Sequence, residues 1–534
     1  MKTYLAITLG PIYQTFMNAR HTREVWGASY IFSYIAKGLI LKLIDNTIKI
    51  DAMVDFKTQI EPYIGKFILP NIGDTRLFDK NNPVGLFPDN IIVEAELLKD
   101  RDKDRDFEDI KNEVIKELAE EIASAINGDL EKVTKFLLNH FRIIHRKLNV
   151  ASPILDVTPV LSVAEQLPYY NHEVPKNYLS DFLKTINNKS NGFMKKREVG
   201  RFESLIEIAT IQLSNRTKYA TLKNTHLWDD SEEKDSDGNF ISALIQDCKE
   251  EAQRNNTASP FKTYHKYIAV VKADGDKIGS TLKKINDEAK VKSFSNKLLQ
   301  WGLATKELLD EWQAKAIFIG GDDLLFFAPI VNKKGENIFD LIKQIDDCFN
   351  GQAWDSLGTA DKPTLSFGVS ITYYKFPLIE ALEAVDTLLH QAKDEGGNRL
   401  AIRFLKHSGA ELPFTLSKND ACFDELFSKM ESQSKETKSL VSRASYKIRE
   451  SQAVFELIGK DKTRVQNTFQ NVFEEIDWEN STRQPKQTDS YLKALRELLD
   501  REYAQSNKVE LANQQVFSII RAIKFIKGLD ELKD

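Results

Sequence analysis

Three carboxylates carry the clearest chemical signal in the chain. Asp274 follows an apolar run at 267–272, within Ala273-Asp274-Gly275-Asp276, and Asp322-Asp323 ends the stretch Gly320-Gly321-Asp322-Asp323. Either motif alone is an ordinary solvent-exposed turn. At the ends of neighbouring strands they would gather three like charges, each raising the pKa of the others. Magnesium or manganese relieves such a cluster, because these hard ions take oxygen ligands. Two ions about 3.5–4 Å apart activate a hydroxyl and steady a pyrophosphate leaving group in an in-line displacement. Gly320 and Gly321 allow a tight turn and close approach of a nucleotide to the backbone. Gly275 and Gly279 flank amides that could cradle phosphate at the start of the next helix. Lys393 could neutralise a terminal phosphate, although a lone lysine on a helix is ordinarily a solvated one.

The surrounding pattern supplies a scaffold for these motifs. After the strand at 267–272 comes a helix with Val291, Phe294, Leu298, Trp301, Leu308 and Trp312 on its apolar side. Apolar runs at 316–319 and 324–329 flank the Gly/Asp turn as a β-hairpin. A helix at 338–349, a strand at 364–372, a helix with Leu378, Leu382, Val385, Leu389 and Ala392 on one face, and a strand at 400–404 follow. The order β-α-β-β-α-β-α-β is a split βαβ plan, an antiparallel sheet backed by helices. Upstream, 4–9 reads as a strand, Gly10-Pro11 as a break, 12–44 as a long helix, and the neighbourhood of Ile48 and 90–95 as strands. The charged run 99–109 reads as a hinge or helix entry. Residues 110–149 read as helical, with Val114, Leu118, Ile122 and Ile126 in register. Beyond about 411 the strand signal fades into charged helices, with a loop at 480–489. The expected domains are therefore 1–98 or a longer stretch from the same start, a helical and mixed linking region at 99–260, the motif-bearing domain at 261–410, and a helical bundle at 411–534. No tandem repeat is present at solenoid periods.

A length of 534 residues implies several domains. With 42% hydrophobic and 29% charged residues the chain is neither disordered nor fibrous. No apolar run approaches the ~18 residues of a membrane span, and the N-terminus lacks a signal-peptide pattern. Cys248, Cys348 and Cys422 are too few and too scattered for a disulfide framework or a four-thiolate zinc site, so a reducing, cytoplasmic setting is expected. The net charge of −5 gives no general warrant for nucleic-acid binding. Local basic clusters occur at Lys195, Lys196, Arg197 and Arg201, at Arg142, Arg146 and Lys147, and at Arg521, Lys524 and Lys527; taken singly each is a solvated face. The segment 229–239 imitates an EF-hand loop, but with Gly238 at the sixth position Leu244 falls where the bidentate acid belongs, so it reads as a solvated loop.

At these residues the sequence resembles a known family. Ala273-Asp274-Gly275-Asp276-Lys277-Ile278-Gly279 and Gly320-Gly321-Asp322-Asp323 are similar to the palm motifs of the large subunit of type III CRISPR–Cas effector complexes. Gly10-Pro11-Ile12-Tyr13-Gln14, Ala19-Arg20, Arg23-Glu24-Val25-Trp26-Gly27-Ala28-Ser29-Tyr30 and Val84-Gly85-Leu86-Phe87-Pro88-Asp89 resemble its Cmr-type (III-B) form. The resemblance implies an α+β multidomain chain with two ferredoxin-like palm domains, a helical linking region and a C-terminal helical bundle. It implies an RNA-activated nucleotidyltransferase that makes cyclic oligoadenylate second messengers from ATP, within a complex of guide RNA, target RNA and other Cmr-type subunits. By the same carry-over Asp274, Asp322 and Asp323 hold two Mg²⁺ or Mn²⁺ ions, with the Gly275 carbonyl assisting. Asp276, Lys277, Ile278, Gly279, Ser280, Gly320, Gly321 and Lys393 line the nucleotide. Two departures from the family pattern matter. The eight histidines form no His-Asp dipeptide, so no DNase activity of the HD type is expected. The three cysteines cannot hold the structural zinc of many members.

Three other readings share these residues. The site could join AMP from ATP to another acceptor, S-adenosylmethionine. The chain could be a non-catalytic scaffold subunit, against which the intact acids argue. It could be a stand-alone diguanylate cyclase, which expects a glutamate where Asp323 stands, before Leu324.

Overall fold

Residues 2–19, 22–45, 55–78, 85–98, 106–150, 203–216, 218–226, 236–285, 287–357, 362–430, 435–458, 487–505 and 509–529, with isolated residues between 461 and 471, are described by the structure, a computed structural model. Two sheets organise them. The first contains β1 (Lys2–Gly10), β2 (Phe67–Leu69), β3 (Asn90–Glu94) and β4 (Arg142–Val150), in the order β2-β3-β1-β4 with every neighbouring pair antiparallel. The helix Thr22–Asp45 connects β1 towards β2, and the helices Phe107–Ile126 and Leu130–His140 connect β3 to β4. This βαββαβ chain order with a split sheet is the ferredoxin-like plan. Central β1 is apolar from Tyr4 to Ile7 and pairs on both edges, Leu5 facing Val93 on one side and Lys147 on the other.

The helix Thr22–Asp45 is long and apolar enough over Thr22–Ile44 to cross a membrane, yet 83% of that apolar window is buried. It is a core helix, with Val25, Ile31, Ile35, Leu39 and Leu43 wholly enclosed. The expected helix over 12–44 is interrupted: Ile12–Phe16 forms a short helix, and the long one starts at Thr22. The expected helical stretch over 110–149 ends at His140, and Arg142–Val150 is a strand. Pairing with β1 along its whole length overrides the local ambiguity of Arg142-Ile143-Ile144. At the charged run, Asp106 caps the next helix by accepting from the Glu108 N–H. The neighbourhood of Ile48, the cluster Lys195–Arg201 and most of 229–239 lie outside the described residues; Ser236 already begins a helix.

The second sheet contains β5 (Tyr267–Asp276), β6 (Lys315–Gly320), β7 (Asp323–Pro329), β8 (Thr364–Tyr373), β9 (Arg399–Leu405) and β10 (Glu411–Ser417), in the order β10-β9-β8-β5-β7-β6. Its portion β8-β5-β7-β6 repeats the plan of the first sheet. The helices Ile278–Lys284 and Glu288–Trp312 join β5 to β6, and Ile338–Asn350 lies between β7 and β8. The helix Leu378–Asp394 carries the chain from β8 to parallel β9, and β10 returns antiparallel. β10 corrects the expectation that residues beyond 411 are all helical. Leu412, Phe414 and Leu416 alternate inward, and Pro413 is tolerated because β10 is an edge strand. Helices Ala421–Lys429, Lys435–Glu450, Gln452–Ile458, Gln487–Gln505 and Val509–Ile526 follow.

Packing divides the chain into two compact units, one of residues 1–204, 273–326 and 345–365 and one of residues 205–272, 327–344 and 366–534. The closing strand of the first sheet comes at Val150 and that of the second at Ser417.

Candidate active site

β5 and β7 are neighbours, so the two acidic motifs meet at one end of the sheet. Asp274 lies near the end of β5, Asp322 in the turn after β6, and Asp323 opens β7. Asp322 shares a hydrogen bond with Asp274. Burial, then the charges of Asp323 and Asp274 and that shared hydrogen bond, hold the Asp322 carboxyl well above the usual carboxylate range. Two local features make this approach possible. A Cβ on Gly275 would lie 2.7 Å from Asp322 Oδ2 and 2.9 Å from its Cβ, so only glycine lets the carboxylate rest against β5. Gly321 takes a left-handed φ of 63°, which the turn into Asp322 requires.

The acids open onto a cleft of about 600 Å³ within the first compact unit. Asp274, Gly275, Lys277, Ile278, Gly279, Gly320, Gly321, Asp322 and Asp323 form one side. Leu69, Asn90 and Ile92 of the first sheet, with Pro70, Leu86, Pro88 and Asp89 from the segments flanking its strands, form the other, and Val291, Phe294, Ser295, Leu298 and Leu299 add a mostly apolar wall. That wall is the helix Glu288–Trp312, fixed at its start and at mid-length. Tyr4 Oη donates to Glu288 at 2.7 Å, and Ser295 Oγ accepts from the Asn71 N–H at 3.0 Å. Volume and lining match the range of small-molecule clefts, apolar surface with a few convergent polar groups.

The remaining sequence-predicted residues fall in different places. Lys277 is exposed and precedes the helix Ile278–Lys284 with a left-handed φ of 60°, an uncommon conformation for a side-chain-bearing residue. Ser280 Oγ donates to the Lys277 carbonyl at 2.8 Å and is not among the cleft-lining residues. Asp276 is buried and accepts from Thr364 Oγ1 at 2.7 Å, an anchor at the start of β8 rather than a lining residue. Lys393 stands in the last turn of the helix Leu378–Asp394 and is not among the lining residues either. Pro88 and Asp89 stand out in the sequence as part of a family motif, but not as cleft-lining residues. The available signal was positional, because Asp89 directly precedes β3 as Asp322 directly precedes β7.

The acids suit a hard divalent cation. The negative charges of Asp323 and Asp274 beside buried Asp322 mark a site short of positive charge, and the side-chain ligands on offer are all oxygens. Among the described residues no three His, Cys, Asp or Glu side chains form a closed ligand set.

Comparison with known proteins places the chain. The family described as "Cas10/Cmr2, second palm domain" matches residues 267–401, and "CRISPR-associated protein Cmr2, N-terminal" matches residues 4–134. Among solved structures, a chain of the type III-B Cmr-beta complex in its apo state is similar with a TM-score of 0.56 and 13% identity, covering 99% of this chain and 82% of that one. The Cmr-beta complex bound to cognate target RNA gives a TM-score of 0.55 and 12% identity, covering 99% and 83%. At such identities the likeness is one of fold. No curated protein matches the sequence.

Proposed function

We propose that this chain, which belongs to the Cas10/Cmr2 family of CRISPR-associated palm proteins, is the RNA-activated nucleotidyltransferase subunit of a type III-B effector complex. Its reaction joins ATP molecules through 3′–5′ bonds into cyclic oligoadenylates. The observation that carries this reading is the meeting of Asp274, Asp322 and Asp323 in a cleft of about 600 Å³. In each step the 3′-oxygen of one adenylate bonds to the α-phosphorus of another, the α–β phosphoanhydride breaks, pyrophosphate leaves and the hydroxyl proton passes to solvent.

The chain's own residues position the reactants. Asp274, Asp322 and Asp323, with the Gly275 carbonyl, would hold divalent ions, which when bound supply the charge that activates the hydroxyl and steadies the pyrophosphate. Gly320 and Gly321 bring the nucleotide close to the backbone, and Lys277, Ile278 and Gly279 face its phosphates. Leu69, Leu86, Phe294 and Leu298 offer apolar surface to a base and exclude water, favouring a hydroxyl acceptor over hydrolysis. Guide RNA, target RNA and other Cmr-type subunits are the proposed partners; the similarity to a chain of a target-RNA-bound Cmr-beta complex supports this.

The test is mass spectrometry of products from the assembled complex given ATP, Mg²⁺ and matching target RNA, with and without S-adenosylmethionine. Cyclic oligoadenylates without the methionine derivative are expected. An adduct formed only in its presence would keep the acidic site and replace the acceptor. RNA binding with no product in either arm would leave a scaffold.

A further inference from the structure

β6 is the edge strand of the second sheet, and its open backbone is met by the first sheet's domain. Gly85 forms a parallel bridge to Phe318, and the Ile319 N–H donates to the Gly85 carbonyl at 3.2 Å. Three residues further on, Pro88 stands beside the turn, where a Cβ on Gly321 would lie 3.8 Å from the Pro88 Cβ. The Leu9 N–H donates to the Asp89 carbonyl at 2.8 Å, which ties the far end of this segment to β1. The acidic turn is thus tied by a backbone hydrogen bond at Ile319, just before it, with Pro88 nearby at Gly321.

The grip depends on the residue type at position 85. A Cβ on Gly85 would lie 2.5 Å from Ser33 Oγ and 3.3 Å from Ser29 Oγ, both on the core helix Thr22–Asp45. Among the described residues neither buried hydroxyl has a hydrogen-bond partner. What they achieve sterically is a close fit of the helix against bare backbone, which sets how far segment 85–89 reaches towards β6.

We infer that segment 85–89 is a positioning element for Asp322, with Gly85 its adjustable joint: Ser33 sets Gly85, Gly85 sets Ile319, and the turn between β6 and β7 follows. This rests on the reading of the acidic turn as the seat of nucleotidyl transfer. Gly85 touches no reacting atom; it acts through the hairpin. A side chain at 85 would push the segment off Ser33 and displace the acids relative to the nucleotide, and a shift near 1 Å costs about 10²-fold in rate.

The test is a size swap in the assembled complex. Gly85→Ala should lower the turnover number by about ten- to a hundredfold while KM for ATP stays within about twofold, the mark of lost positioning rather than lost binding. Adding Ser33→Ala removes the clashing oxygen, and G85A/S33A should return to within about threefold of the parent. Hydrogen exchange of a peptide over 316–325 gives a second readout, with protection reduced in G85A and regained in the double variant. If the parent complex makes no nucleotide product but the exchange pattern holds, the functional reading fails and the positioning stands. Unchanged turnover and protection in G85A would overturn the inference. So would a double variant that folds, by circular dichroism, yet regains neither.

Discussion

In the first sheet β1 runs into Gly10-Pro11, and β3 begins directly after Pro88-Asp89. In the second, β5 runs through Asp274-Gly275-Asp276, and β7 begins directly after Gly321-Asp322. The two share a chain order and a strand order, and the same two strand ends face each cleft-forming position. One copy places three carboxylates there and the other a single acid beside Asn90, with Asn90 Nδ2 donating to Asp89 Oδ1 at 2.7 Å. A fold of this kind brings the ends of its first and third strands together whatever residues occupy them. Chemistry is then set by a handful of side chains at those ends, and the copy without them can serve as wall and brace.

The strongest way to break that contrast is to remove the acids from each copy in turn. Asp322→Ala with Asp323→Ala should reduce pyrophosphate release by at least about 10³-fold while the complex still assembles on RNA. Asp274→Asn should cost about 10²-fold, since it leaves the hairpin pair in place. Asp89→Ala with Asn90→Ala should cost about tenfold or less, because these residues bound the cleft without the charge cluster. Equal losses from the two sheets would mean that the first copy shares the chemistry.

Legibility followed the length scale of the signal. The hairpin at 316–329, the helix at 338–349 and the strands at 364–372 and 400–404 lie where the apolar runs place them, because each run has the length and periodicity of its element. β4 and β10 were not legible for different reasons: Arg142–Val150 gains its identity from β1, more than a hundred residues away, while Glu411–Ser417 pairs with nearby β9 but carries Pro413, which masks the strand pattern. At the candidate site, the meeting of Asp274 with Asp322 followed from strand order. The anchoring of Asp276 by Thr364 did not, because an Asp-Gly-Asp turn carries no mark of which acid faces inward. Pro88 and Asp89 were legible as part of a motif but not as a wall, because only the repeated strand order puts them opposite the acidic turn.

A smaller effect separates the two copies by stability. Asp322 is held neutral-leaning by burial and by its acidic neighbours, so its ionised form opposes folding when no cation is bound. In EDTA at neutral pH, Asp322→Asn should therefore raise Tm by about 2–4 °C, whereas Asp89→Asn should move it by less than about 1 °C. Mg²⁺ should raise Tm of the parent and leave the Asp322→Asn variant nearly unmoved. Loss of stability in that variant without cation would mean the acids are already well paired and would remove the case for a cation there.

The smallest effect has opposite signs in the two copies. In the first, His140 ends the helix before β4, is 6% exposed, and sits 3.1 Å from Thr15 Oγ1. Burial, aided by the Arg142 charge, lowers its pKa to about 4. The unfolded chain, with histidine near 6.5, takes up a proton first. Stability from neutral His140 is thus complete above pH about 6.5 and is lost progressively as pH falls towards 4. At the acidic turn the order reverses: the Asp322 carboxyl is raised, so acidification relieves its penalty as pH falls through the folded-state pKa. Between pH 7.5 and 5.5 in EDTA, His140→Gln should lose about 1–2 °C less in Tm than the parent, while Asp322→Asn should lose more than the parent, having no penalty left to relieve. If both variants track the parent, neither group titrates differently on folding, and the two copies would differ in catalytic endowment but not in how their polar interiors are held.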